Sequence, residues 1–341
     1  MAETKISDII VPSIFSRYFL EESIKRNRFY KSGIVTRSSE IDALLAGGGT
    51  TFNAPFFTDL GGSSDVPSES GTQTVNVIST GQEVIRRQMR TKAWGTNAIA
   101  QIQSGENVMS AINNYVPNFW ATEYDKNIIY MMIGLINDNL TNDSGDLVLD
   151  ITDESGTNAY ISDSVILQTI AKHGENGVIG RGDNTEFQYV VMHSNTYHYL
   201  VNQDSITFTP ISTQTRPLGI YKGMEVIVDD NLVRMSESGG YAYYTYLFKP
   251  GAIHMGSSSV GYEPTSIERV EGRGMGVEEL YTRTVFAFHV DGFAWQGASM
   301  AGLSPTDDEL AKGSNWNRVA SNAQNCKWAA LLHEIPDDWE V

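Results

Sequence analysis

Three apolar runs between Phe187 and Gly256, FQYVVMHSNTYHYL, GIYKGMEVIVDDNL and YAYYTYLFKPGAIHMG, are joined by polar turns and read as strands. Upstream, the period changes. Across residues 95–140, Val116, Trp120, Tyr124, Ile128, Met132 and Leu135/Ile136 recur at steps of three or four. This predicts a long helix with one wide apolar stripe, starting near Ser104-Gly105-Glu106, interrupted at Pro117 and ended by Asn137-Asp138-Asn139. Its aromatic and methionine positions are core residues on that spacing.

The flanks carry shorter signals. A short amphipathic helix is expected at Ser13 to Lys25, and a weak helical turn at Ile41 to Leu45, broken by Gly47-Gly48-Gly49. Thr51 to Phe57 and Gln73 to Arg90 read as two strand-like pieces around a polar tip at Gly61 to Gly71. A two-stranded arm of that length is marginal alone in water and must lie on its own body or on a neighbour. A strand is expected at Leu147 to Ile151 and a helix at Ser162 to Lys172. Two long strands, SIERVEG and LYTRTVFAFHV, follow within Tyr262 to Val290, then a helical turn after Pro305 and a last strand at Lys327 to Ile335.

Charge changes the picture. The net charge is −17, yet residues 1–100 carry 11 Lys+Arg against 10 Asp+Glu, while residues 101–341 carry 13 against 31. So acidic a body repels nucleic acid rather than seeking it, and keeps the chain soluble. The longest apolar run, Ile128 to Ile136, is about half of a membrane span, and MAETKISDII lacks the layout of a secretion signal. Synthesis in the cytoplasm and no membrane association are expected. One cysteine, Cys326, excludes an internal disulfide or a cysteine-based zinc cluster.

No catalytic, cofactor-binding or metal set emerges. His193 and His198 are five apart, without the helical spacing or glutamate of a zinc site. The Asp/Asn-rich run from Asn137 to Asp150 lacks calcium-loop spacing and reads as a solvated turn. Gly272, Gly274 and Gly276 sit between strands, with no helix to cap a phosphate. Arg181-Gly182-Asp183, a cell-adhesion tripeptide, reads as a tight turn. The exception is a basic cluster at the base of the arm, Arg86, Arg87, Arg90 and Lys92. It is thin as a DNA contact, and fits better as an inter-subunit contact to the acidic body of another copy.

The order of these parts resembles a tailed-bacteriophage major capsid protein of the Hong Kong 97-type fold. SGENVMSAINNYVPNFWATEYDKNIIYMMIGL looks like the pre-spine and spine segment. YVVMHSNTYHYL, LGIYKGMEVIVDD, YLFKPGAIHMG, TRTVFAFHVDGFAW and LSPTDDELAKGSNWNRV resemble one branch of phage and prophage coat proteins. The resemblance implies an α+β fold with an N-terminal arm at 1–45 and an extended loop at 46–95. A peripheral domain with a spine helix follows at 96–159, then an axial domain at 160–262, return strands at 263–298 and a C-terminal segment at 299–341. It implies self-assembly as hexamers and pentamers into an icosahedral shell around double-stranded DNA, which the shell does not read by sequence. The virion would be its location, and a scaffolding protein, a portal and a decoration protein its partners. No enzyme activity and no cofactor are implied. Residues 50–91 contain no lysine, so the Lys–Asn cross-link of some members is not expected. The chain begins directly with the arm, which points to a separate scaffolding protein. An encapsulin nanocompartment shares the fold and is the alternative; an acidic enzyme or adhesin is more remote.

Overall fold

A computed structural model describes residues 21–57, 80–104, 108–177, 186–209, 218–237, 240–272 and 275–339, with a few isolated positions between them. In chain order the strands are β1 (Val35–Arg37), β2 (Thr51–Phe57), β3 (Thr80–Arg86), β4 (Gln88–Asn97), β5 (Val148–Asp150), β6 (Tyr189–Met192), β7 (Ile206–Thr209), β8 (Leu218–Tyr221), β9 (Met224–Val228), β10 (Arg234–Glu237), β11 (Gly240–Phe248), β12 (Ile253–Ser258), β13 (Thr265–Val270), β14 (Val277–Val290), β15 (Phe293–Trp295), β16 (Trp316–Arg318) and β17 (Trp328–His333). After a helical stretch at 21–26 come α1 (Arg28–Ser32), α2 (Ser39–Ala46), α3 (Ala98–Ser104), α4 (Val108–Asn142), α5 (Asp163–Ala171), α6 (Ser194–Asn202) and α7 (Asp307–Leu310). The expected α+β character holds.

The first sheet is organised by β14. One of its edges pairs with β4 over Val277–Phe286; the other pairs with β13 and then with β12, which in turn pairs with β1. Helix α4 lies on this sheet. Trp120 Nε1 donates to Thr282 Oγ1 at 3.1 Å, and Tyr124 packs edge-on against Phe286 with ring centroids 4.9 Å apart. That packing explains why Pro117 does not interrupt the helix, contrary to the sequence reading. Val116 and Pro117 are both buried, and α4 runs unbroken past the expected stop to Asn142. A proline costs a helix interior about 3 kcal/mol, which tertiary burial along so long a stripe outweighs.

The second sheet runs β5–β17–β11–β6–β9–β8–β7, with β10 hairpinned onto β11. Side chains alternate across it. Tyr244, Tyr246 and Phe248 of β11 enter the core shared with α4 and β14, while Tyr243 and Leu247 enter a second core with Ile166, Ile170, Leu200 and Tyr221. Both faces are covered, which is why these strands read as continuous apolar runs.

The sequence reading fails at one of those runs. FQYVVMHSNTYHYL is a strand only to Met192 and then becomes α6. His193 caps the helix, its Nδ1 accepting from the Asn195 N–H at 3.1 Å, and Asn195, Thr196, Tyr199 and Leu200 are buried at helical spacing. The tyrosines and β-branched residues favour strand locally; the cap and the buried face override them. The second run is a hairpin, β8 to β9, turned at Lys222-Gly223 with φ of 50° and 85°. Positive φ at both central positions is what a tight two-residue hairpin turn needs.

Residues 95–97, expected to be helical, extend β4 instead. The expected strand from Gln73 to Arg90 is split, because Arg87 donates its N–H to Thr50 O at 3.0 Å where the chain passes from the arm into the first sheet. Most of the helix expected at Ser13 to Lys25, nearly all of the arm tip and Arg181-Gly182-Asp183 lie outside the described residues. Among those described, no helix is long and apolar enough to cross a membrane.

Candidate interaction surfaces

The arm is a two-stranded sheet of its own, β2 with β3, in register from Thr51 opposite Arg86 to Phe57 opposite Thr80. Burial falls along it. At the root, Phe52 and Ile85 pack with Ile41, Leu45 and Ala287. Further out, the Phe56 ring lies over Gly81, where an added Cβ would sit 2.3 Å from Cζ. At Phe57 the side chain is 75 % exposed. The fully buried apolar contacts of the described hairpin thus lie at its root.

The basic cluster sits at this root, and its members differ. Arg86 is buried and donates to Leu303 O; burial pulls its pKa below the ordinary arginine value. Arg87 lies over the Phe52 ring, 5.1 Å from its centroid, and donates to Leu45 O and Gly47 O at 2.9 and 2.5 Å. Those carbonyls end α2, where a cation also meets the negative end of the helix dipole. Arg90 pairs with Asp307 at 3.0 Å and bonds Ser304 Oγ at 3.1 Å. Lys92 is exposed on β4. Three of the four thus make contacts within their own chain, with partners too distant in sequence for spacing to reveal.

A second set of polar contacts fastens the arm to the body. His289 Nε2 of β14 lies 2.5 Å from Glu83 Oε2 of β3, and the other Glu83 oxygen accepts from the Gly292 N–H at 2.7 Å. Beside them, Asp291 takes His254 Nε2 at 3.1 Å and Lys327 Nζ at 2.8 Å, while His254 Nδ1 meets Thr36 Oγ1 at 3.1 Å. Burial would raise the Asp291 pKa, but His254 and Lys327 outweigh it and hold the carboxyl well below the usual range. Sequence reasoning missed this network, because Glu83 and His289 are 206 residues apart.

Glu83, His289 and Asp291 place one potential ligand atom each within 4.8 Å of one another, the spacing of a metal site. The donor set does not fit one. Both Asp291 oxygens already bond His254 or Lys327, the lysine brings its own positive charge, and both Glu83 oxygens are used. The arrangement is a clasp between arm and body.

Other surfaces are open. A groove of about 390 Å³ beside the arm root is lined by Leu45, Arg87, Met89, Val260, Tyr262 and Arg283, among others. A nearly apolar groove of about 240 Å³ is formed by Trp94, Ile112, Tyr115, Val116 and Phe119. The sole thiol is no nucleophile: Cys326 is buried, and burial pushes its pKa up to about 12. Burial likewise pulls His173 and His333 down to about 4, so both are neutral core residues.

Known proteins resemble this chain along most of its length. The family model for Gp13-like proteins, described as major capsid protein 13-like, matches residues 119–327. The major capsid protein of Bacillus phage SPP1 is 33% identical over 324 residues, covering 94% of this chain and 95% of that one. The solved capsid of Ralstonia phage GP4 superposes with a TM-score of 0.57 at 8% identity, over 89% of this chain and 88% of that one. The capsid asymmetric unit of cyanophage Pam1 gives 0.54 at 11% identity, over 91% and 92%. At those identities the two structures testify to the fold alone.

Proposed function

The chain belongs to the Gp13-like family of major capsid proteins, and we propose that it builds its shell as hexamers and pentamers of itself, arranged icosahedrally around packaged double-stranded DNA. That it is a tailed-phage major capsid protein, located in the virion and of the Hong Kong 97-like fold, follows from the comparisons. The observation that carries the reading is the 33% identity to a phage major capsid protein over nearly the whole of both chains. Both the family and the curated relative are coat proteins, a structural rather than an enzymatic family.

The finer assignments belong to the same proposal. Residues 46–95 act as the extended loop, laid over a neighbouring subunit. Residues 96–159 with 263–298 form the peripheral domain, α4 being its spine, and residues 160–262 form the axial domain that meets other copies at the symmetry axes. Residues 1–45 are the N-terminal arm and 299–341 the C-terminal segment. The basic cluster acts between subunits through Lys92 and through whatever charge Arg87 and Arg90 present beyond their internal bonds. Packaged DNA is confined by an acidic wall that repels it rather than bound by sequence. A scaffolding protein, a portal and a decoration protein complete the partner set.

Electron microscopy of the protein expressed with its scaffold tests the reading. Closed shells with six-fold and five-fold capsomers are expected. A protein that stays monomeric at high concentration in the presence of scaffold would end it.

A further inference from the structure

We propose that Asp125 and Asp229 hold one proton between them, and that this proton locks α1 to α4 and to the turn after β9. The inference goes beyond the shell reading and does not depend on it. Three elements distant in sequence meet at the two carboxylates. Asn27, the N-cap of α1, donates through Nδ2 to Asp125 Oδ1 of α4 at 2.6 Å, and the backbone N–H groups of Arg28 and Phe29 also bond the Asp125 carboxyl. Arg28 reaches the other way, its Nη1 lying 3.0 Å from Val228 O and 3.1 Å from Asp229 Oδ1. The same Asp229 oxygen accepts from the Asn231 N–H and from Asn231 Nδ2 at 2.9 and 2.7 Å.

Counting charge gives the proton its place. Asp125 and Asp229 are both buried, whereas the Arg28 side chain is half-exposed. The charged groups acting on Asp125 are Arg28 of α1 and Asp229 of the turn after β9. Next along that turn, Asp230 is held by Ser194 and faces His193 at the start of α6; burial, and then Arg234, disfavours the charged form of His193. Two carboxylates thus share one guanidinium. Ionising both leaves a buried negative charge without a counterion, and one proton makes the set neutral. Burial, and then Asp229, raises the Asp125 pKa to about 7, in line with that count. Hydrogen bonding agrees. The contacts to Asp125 named above all donate to it, so its protonated form has an O–H to give. Asp229 Oδ2 is buried with no hydrogen-bond partner among the described residues, and it is the acceptor that O–H needs.

The sign of the effect follows. The closed joint binds the proton more tightly than the opened one, so closure is strongest below the ordinary carboxyl range. It weakens as pH rises and levels off above about 7. Hydrogen exchange of the full chain between about pH 5 and 8, divided by the chemical exchange rate at each pH, reads the opening of α1. Opening should rise about tenfold per pH unit up to about pH 7 and then level. Asp125→Asn offers an N–H where the protonated acid offers its O–H, and should keep α1 protected at every pH. Asp229→Asn removes the repelling carboxylate and should move the rise to lower pH. Infrared difference spectra at about pH 6 supply a readout that packing alone would not move: a protonated carboxyl band present in the parent and lost in Asp125→Asn. Opening of α1 that is independent of pH in the parent, the same rise in all three chains, or no such band overturns the proposal. Should Asp125→Asn fail to fold, the parent's profile and the shift in Asp229→Asn decide it.

Discussion

Gly134 is buried in the C-terminal half of α4, where the C-terminal segment crosses the helix. A Cβ added there would lie 2.0 Å from Leu310 O, 2.5 Å from Trp316 Nε1 and 2.7 Å from Trp316 Cδ1. The first two atoms are partners in one buried hydrogen bond of 2.7 Å, so Gly134→Ala separates both ends of that bond at once. Overpacking of this kind costs about 1–3 kcal/mol, and an orphaned indole N–H about 1–3 kcal/mol more. Alanine returns about 1 kcal/mol of helix propensity over glycine. The net expectation is a loss of about 1–5 kcal/mol, against the propensity gain that an open helical site would show. Urea unfolding of unassembled subunits, followed by tryptophan fluorescence, measures it: the midpoint should fall with the slope unchanged. Gly48→Ala, whose Cβ would meet nothing within 4 Å, is the control and should change little. A Gly134→Ala subunit as stable as the parent, or more so, would show that α7 and β16 do not approach the helix this closely, and the argument would fail.

Three further outcomes are expected. Burial, and then the neighbouring Asp229, raises the Asp125 pKa from 3.8 to about 7. The stabilisation from its protonated form is therefore complete below about pH 4 and is lost as pH rises towards 7. Asp125→Asn should flatten that dependence and leave the subunit more stable than the parent at about pH 8 by up to a few kcal/mol, given about 1.4 kcal/mol per pH unit; parallel unfolding midpoints at both pH values would contradict this. Glu83→Ala removes the carboxylate that takes His289 and the Gly292 N–H, and hydrogen exchange should accelerate in β2 and β3 while β11 is unaffected; equal exchange would mean that the clasp does not hold the arm. Cys326, buried with a pKa of about 12, should resist maleimide at about pH 8 in folded subunits and react fully in urea, and rapid labelling of folded protein would refute its burial.

Legibility from the sequence tracked the range of the interactions involved. The 3.6-residue stripe of α4 and the paired long strands β13 and β14 are local patterns backed by burial, and both were readable. Pro117 and α6 were misread where tertiary packing or a cap overrode residue preference. The basic cluster was visible as composition, but its roles were not: that Arg86 turns inward to Leu303 and Arg87 caps α2 depends on segments over two hundred and about forty residues away. The clasp of Glu83 with His289 left no trace in spacing at all.

The arm's charges divide its work. Glu83 is the acidic residue of the arm nearest its root, and it is consumed by His289 and Gly292. Arg87 binds the arm root to the end of α2, and Phe52 and Ile85 sit in a small core with Ile41, Leu45 and Ala287. Charge-assisted bonds added to an apolar plug hold the root to the body, so the direction in which the arm leaves is set there. Asp59, Asp65 and Glu69 come after β2 in the chain, in the stretch that joins it to β3. A fixed root settles the arm's direction on folding, before any neighbour is met.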